Sequence, residues 1–218
     1  MSVHDPITTV ISDFGGVLTS PLLRSFAAFQ DEAGVPLEAL GRAMHAIAQR
    51  DGENPLFVLE RGEMTEHAFL SDIGDELERL LGRPVEMHTF AERYFTSLSA
   101  NVDLIEYLRG LRDGGLRMAM LTNNVREWEP RWRAMLPVDE IFELVVDSAF
   151  VGLRKPDPAI YELTCSRLGV QPAECLFLDD LEPNVLAARE LGMAAVQFVE
   201  NAQAIGEIES LLAPQRAN

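Results

Sequence analysis

Val10-Ile11-Ser12-Asp13-Phe14-Gly15-Gly16-Val17-Leu18-Thr19 is the stretch that decides the fold. Residues 7–12 are apolar and β-branched without alternation, the mark of a strand buried on both faces. That strand runs straight into a carboxylate and a glycine turn. Four further short apolar runs appear much later: 116–121 ending at Thr122, 144–146, 175–178 ending at Asp179, and 194–198. Helical patterns lie between them at 103–112, 127–135, 158–168 and 183–191. Strands alternating with helices predict an α/β fold, a doubly wound, Rossmann-like parallel sheet.

The stretch between the first strand and residue 101 reads differently. It holds no convincing strand run. Residues 22–33, 37–48, 65–81 and 86–98 have the spacing of amphipathic helices. Gly34-Val35-Pro36, the segment from Asp51 to Pro55, and Gly82-Arg83-Pro84 break them. The expected organisation is a core from residues 1–20 and 101–218, interrupted by a helical insert over 21–100. The tail from about Ala213 is expected to fray.

The chain has 218 residues, 47% hydrophobic and 24% charged, which is ordinary globular composition. A net charge of −17 opposes broad nucleic-acid binding. A small phosphate can still bind locally if a metal and a lysine supply positive charge. No run reaches the roughly 18 apolar residues of a membrane helix, and residues 1–9 carry no leader-like apolar stretch. A cytoplasmic location is expected. Cys165 and Cys175 make no disulfide framework and read as small buried hydrophobes.

In a parallel sheet, ligands bind beyond the carboxyl ends of the strands, where strand order reverses. The polar residues at those ends are Asp13, Thr122-Asn123-Asn124 and Asp179-Asp180; Lys155 is expected to open a helix. Carboxylates converging there repel one another unless a cation sits among them, and hard oxygen ligands suit Mg2+. A carboxylate beside Mg2+ stays ionised and can attack phosphorus. A threonine hydroxyl and a lysine can hold the phosphoryl oxygens.

Taken in order, four segments resemble the haloacid dehalogenase (HAD)-like hydrolase superfamily. They are the opening stretch, Met120-Leu121-Thr122-Asn123-Asn124, Gly152-Leu153-Arg154-Lys155-Pro156-Asp157-Pro158, and Leu176-Phe177-Leu178-Asp179-Asp180-Leu181-Glu182-Pro183-Asn184-Val185. The resemblance implies Asp13 as a nucleophile that forms an aspartyl-phosphate. It implies Mg2+ held by Asp13, the Gly15 carbonyl and Asp180, with Asp179 binding directly or through water. It implies Thr122, Asn123, Gly16 and Lys155 as phosphate-binding residues, with Lys155 and Thr122 also serving the chemistry. Asn184 is implied to orient Lys155 or a metal-site carboxylate. The helical insert resembles the family's mobile cap. The implied partner is a small phosphorylated metabolite, such as a sugar phosphate.

One position departs from the pattern. Family phosphatases usually carry a second aspartate two residues after the nucleophile, as general acid and base. Here that position is Gly15, although some phosphatase-like members resemble this Asp-x-Gly pattern. Positioned acid–base catalysis contributes about 10²- to 10⁴-fold. A good leaving group needs little of it; Glu60, Glu63 and His45 are cap candidates to supply it.

Each residue also has a plain structural role open to it. Asp13 suits a turn, Asp179 and Asp180 suit helix caps, and Lys155 suits a solvated surface. The histidines His4, His45, His67 and His88 lack paired metal-ligand spacing. Trp128 and Trp132, four apart, read as packing residues on one helix face. Arg61 to Thr65 reads as a helix break followed by an N-cap. Three functions therefore stand: a magnesium-dependent phosphatase, a haloacid dehalogenase using the same aspartate, and a degenerate scaffold that binds a partner.

Overall fold

The computed structural model describes residues 6–21 and 34–216. The helix expected over 22–33 and His4 lie outside them. Strand β1 (Thr9–Ser12) is the centre of a five-stranded sheet with β2 (Arg117–Thr122), β3 (Leu144–Asp147), β4 (Cys175–Asp179) and β5 (Ala194–Gln197). The order is β3-β2-β1-β4-β5, and all four pairings are parallel.

Alternation along the strands divides the core in two. Val10, Met118, Met120, Leu176 and Leu178 face one side, under α5 (Val102–Asp113) and α11 (Asn201–Arg216). Ile11, Ala119, Leu121, Cys175 and Phe177 face the other, under α9 (Pro158–Leu168) and α10 (Glu182–Glu190). Both faces are covered, as an all-parallel sheet requires. The strands therefore read as continuous apolar runs.

Four helices lie between β1 and α5 among the described residues: α1 (Leu37–Asp51), α2 (Pro55–Glu60), α3 (Glu66–Leu81) and α4 (Phe90–Ser97). They bury a cluster of their own, including Ala43, Ile47, Leu59, Ile73 and Leu77. Thr65 caps α3 through its side chain, as expected, and Gly82 ends it at φ 68°. Helix α2 was hidden in the supposed break. Asn54 accepts from the Leu56 N–H and Pro55 takes the first turn, so those breakers are a helix start.

Two other expectations are corrected. The helix expected over 127–135 is a 3₁₀ turn (Arg126–Trp128) followed by α6 (Glu129–Arg133), because Pro130 suits only a first turn. Trp132 is fully buried while Trp128 reaches α4, so the two tryptophans do not share a face. Helix α11 runs to Arg216. Sequence reading also passed over α7 (Val138–Ile141) and α8 (Ser148–Val151), each a single short turn. No helix among the described residues is long and apolar enough to cross a membrane.

Candidate active site

Strand order reverses at β1, and the carboxyl ends of β1 and β4 lie side by side there. Asp13 follows β1 directly, its N–H donating to Leu178 O at 2.8 Å. Asp179 ends β4. The polar groups meet here because hydrophobic strands end together, with no other place for the chain to turn.

Lys155 joins them. Its Nζ lies 2.7 Å from Asp13 Oδ1 and 2.6 Å from Asp179 Oδ2, and it is 1% exposed. The expectation that it opens a helix is corrected: it sits in the loop before α9, whose N-cap is Asp157. Asn123 fixes that loop from the end of β2. Its Nδ2 donates to Lys155 O at 3.0 Å, and its Oδ1 accepts from Lys155 N at 2.8 Å. The Asn123 side chain is therefore engaged with backbone. Thr122, 1% exposed, ends β2 opposite Asp147 in the register.

Asp179 is saturated. It accepts from Lys155, from Leu181 N at 2.9 Å and from Asn184 Nδ2 at 2.9 and 3.1 Å. Of the two roles open to Asn184, it serves a carboxylate. Neither Asp179 nor Asp180 is the N-cap of α10; that residue is Leu181. Asp180 stands over Gly16, whose φ of 78° favours glycine. A Cβ at Gly16 would overlap Asp180 Oδ2 and lie 2.9 Å from its Cγ. The Gly16 N–H donates to Thr19 Oγ1 at 3.0 Å, so that glycine's contribution is room.

The charges explain what this cluster can hold. Asp13, Asp179 and Asp180 each offer an oxygen, all within 4.8 Å of one another. Three carboxylates against one ammonium leave a local excess of two negative charges. Burial first, then Asp179 and Asp180, raise the Asp13 pKa to about 7, although Lys155 opposes them. Burial and Asp179 raise Asp180 to about 6. Burial disfavours the Lys155 ammonium, but Asp13 and Asp179 outweigh it and its pKa rises. A hard divalent cation fits this donor set in charge and in ligand type.

The helical segment leans on the same site. Glu60, at the end of α2, accepts from Arg154 Nε at 2.7 Å. Burial raises its pKa against the pull of Arg154. The Tyr94 hydroxyl is kept protonated by burial and then by the charges of Asp13, Glu60 and Asp180. Tyr94 carries no signal in the sequence beyond a helical apolar spacing. Trp128 packs on Tyr94 and donates from Nε1 to Glu66 at 2.8 Å. Glu63 instead pairs with Arg61 at an exposed position, and His45 is exposed. A separate cavity of about 570 Å³, lined by residues such as Leu70, Met87 and His88, does not include the Asp13 cluster.

The family model described as haloacid dehalogenase-like hydrolase matches residues 7–192. The chain belongs to this family. As a HAD-like hydrolase it is 31% identical over 191 residues to Phosphatase MT3486 of Mycobacterium tuberculosis, covering 87% of this chain and 86% of that protein. It is 30% identical over 210 residues to mouse acyl-CoA dehydrogenase family member 10, covering 93% of this chain but 19% of that protein. The chain spans between 19% and 39% of the first curated relatives it matches. A HAD family enzyme of Bacteroides thetaiotaomicron, solved with magnesium and inorganic phosphate, shares the fold at TM-score 0.66 and 21% identity, over 89% of this chain and 96% of that one. L-2-haloacid dehalogenases share the fold as well.

Proposed function

We propose that this HAD-like hydrolase is a magnesium-dependent phosphatase of small phosphomonoesters, acting through an aspartyl-phosphate on Asp13. The observation that carries the reading is the third carboxylate. Lys155 already serves Asp13 and Asp179, so Asp180 adds negative charge that a divalent cation would offset. Displacing a halide from carbon needs no metal, and Asp180 would then only repel the nucleophile. The phosphatase relative and the magnesium–phosphate complex of a protein with this fold agree with this choice.

Asp179 is occupied by three protein donors, so Asp13, Asp180 and the Gly15 carbonyl would hold Mg2+, with Asp179 supporting the site by its charge. Bound Mg2+ supplies the charge that lets an anionic carboxylate approach an anionic phosphate. Lys155 fixes the Asp13 carboxylate and binds a phosphoryl oxygen; the Thr122 hydroxyl and backbone beside Asn123 hold others. Asp13 Oδ attacks phosphorus as the P–O ester bond breaks, and the ester oxygen leaves with the bonding pair and takes a proton from water. Water then hydrolyses the acyl phosphate, releasing phosphate and restoring Asp13. The helices between residues 37 and 97 serve as a cap that excludes bulk water.

Thermal unfolding with Mg2+ and beryllium fluoride tests this reading. Wild type is expected to gain several degrees, and Asp13→Asn and Asp180→Ala to gain nothing. An aryl phosphate should release phosphate with wild type only. Magnesium-independent halide release from a haloacid, without phosphate release, would overturn the assignment.

A further inference from the structure

Arg154 precedes Lys155, and its side chain is 18% exposed. Its Nε is bound by Glu60, and its guanidinium lies over the Phe57 ring at 3.9 Å. Among the described residues, its two terminal nitrogens meet no acceptor. An arginine clamped at one nitrogen and stacked on a ring is pre-organised for another partner. The Lys155 backbone is pinned by Asn123, so Arg154 is fixed relative to the nucleophile. Lys155 Nζ lies 2.7 Å from Asp13 Oδ1, so Arg154 is the chain neighbour of a residue that touches the nucleophile.

We propose that Arg154 determines specificity by reading hydroxyl groups on the leaving group of a polyol phosphate, and that Glu60 positions it. The proposal rests on the phosphatase reading. Charge selects hydroxyls over a second anion. The Arg154 charge is balanced by Glu60, Glu53 also lies within its field, and the protein carries −17 overall. The terminal guanidinium N–H groups, without an acceptor among the described residues, and the Glu60 carboxylate form a donor–acceptor pair that matches adjacent hydroxyls. A site built to hydrogen-bond hydroxyls rejects analogues that lack them.

The test compares hexose and pentose monophosphates with 3-phosphoglycerate and 4-nitrophenyl phosphate, in wild type, Arg154→Gln and Glu60→Gln. Wild type should prefer the polyol phosphates to phosphoglycerate. Arg154→Gln should raise KM for polyol phosphates about tenfold more than KM for the aryl phosphate, with kcat changed less. Glu60→Gln should follow more weakly. Calorimetric binding of a polyol phosphate to Asp13→Asn, with and without Arg154→Gln, separates binding from any loss of fold. Equal losses on all substrates would overturn the role of Arg154, and a preference for phosphoglycerate would overturn the polyol class. Aryl phosphate turnover without any polyol phosphate turnover would sink this inference alone. Turnover of no phosphate would sink the phosphatase reading along with it.

Discussion

Gly16 and Asp147 are residues whose chemistry makes sharp predictions. At Gly16 the backbone is left-handed and Asp180 occupies the place of a side chain. Gly16→Ala should therefore displace Asp180 and abolish the Mg2+-dependent rise in melting temperature while the apo protein still folds. Asp147, 6% exposed, accepts from Ala149 N through Oδ1, but its Oδ2 has no hydrogen-bond partner among the described residues. Burial raises its pKa from 3.8 to about 7. A carboxyl raised on folding favours the folded state when protonated. That stability is fully present below about pH 4 and disappears as pH rises through about 7. Asp147→Asn keeps the cap and removes the charge. The variant should be more stable than wild type above pH 7, on the order of 2 kcal/mol, and the difference should shrink toward pH 4. Denaturant titrations at pH 5 and pH 8 measure it.

At the scale of elements, strands and helix ends were legible for different reasons. The strands could be read because both faces are buried, so no polar alternation obscured them. Helix α9 coincides with its expected range because Asp157-Pro158 and Gly169 are unambiguous ends. Helix α2 was missed because Asn54 and Pro55 are equally good at breaking a helix and at starting one, and six residues leave no period to decide. The cluster of Asp13, Lys155 and Asp179 follows from strand ends meeting. The Arg154–Glu60 pair depends on the docking of α2 against the sheet region, which no spacing encodes. The Asn123 clamp belongs to this scale too. Asn123→Ala should loosen the loop before α9, cutting kcat for an aryl phosphate at least about tenfold with little change in melting temperature, since two backbone hydrogen bonds are lost.

The whole molecule rests on two buried layers around one sheet. Leu104 of α5 is fully buried against the β1–β2 face. Leu104→Ala should cost about 2–5 kcal/mol in chemical denaturation, with the larger value if the site cannot collapse. Where the helical segment joins the sheet, outgoing and incoming chains are fastened together. Thr19 and Ala100 form an antiparallel bridge, Ser20 N donates to Ser99 O at 2.8 Å, and Asn101 N donates to Leu18 O at 2.9 Å. Along the chain, the segment between Ser20 and Ser99 thus leaves and rejoins the sheet domain at one fastened neck. The entropy of closing such a loop grows only with the logarithm of its length, about 0.6 kcal/mol for each doubling. Lengthening, shortening or exchanging that loop burdens the strands very little, so evolution can remodel what covers the nucleophile while leaving the nucleophile's own footing untouched.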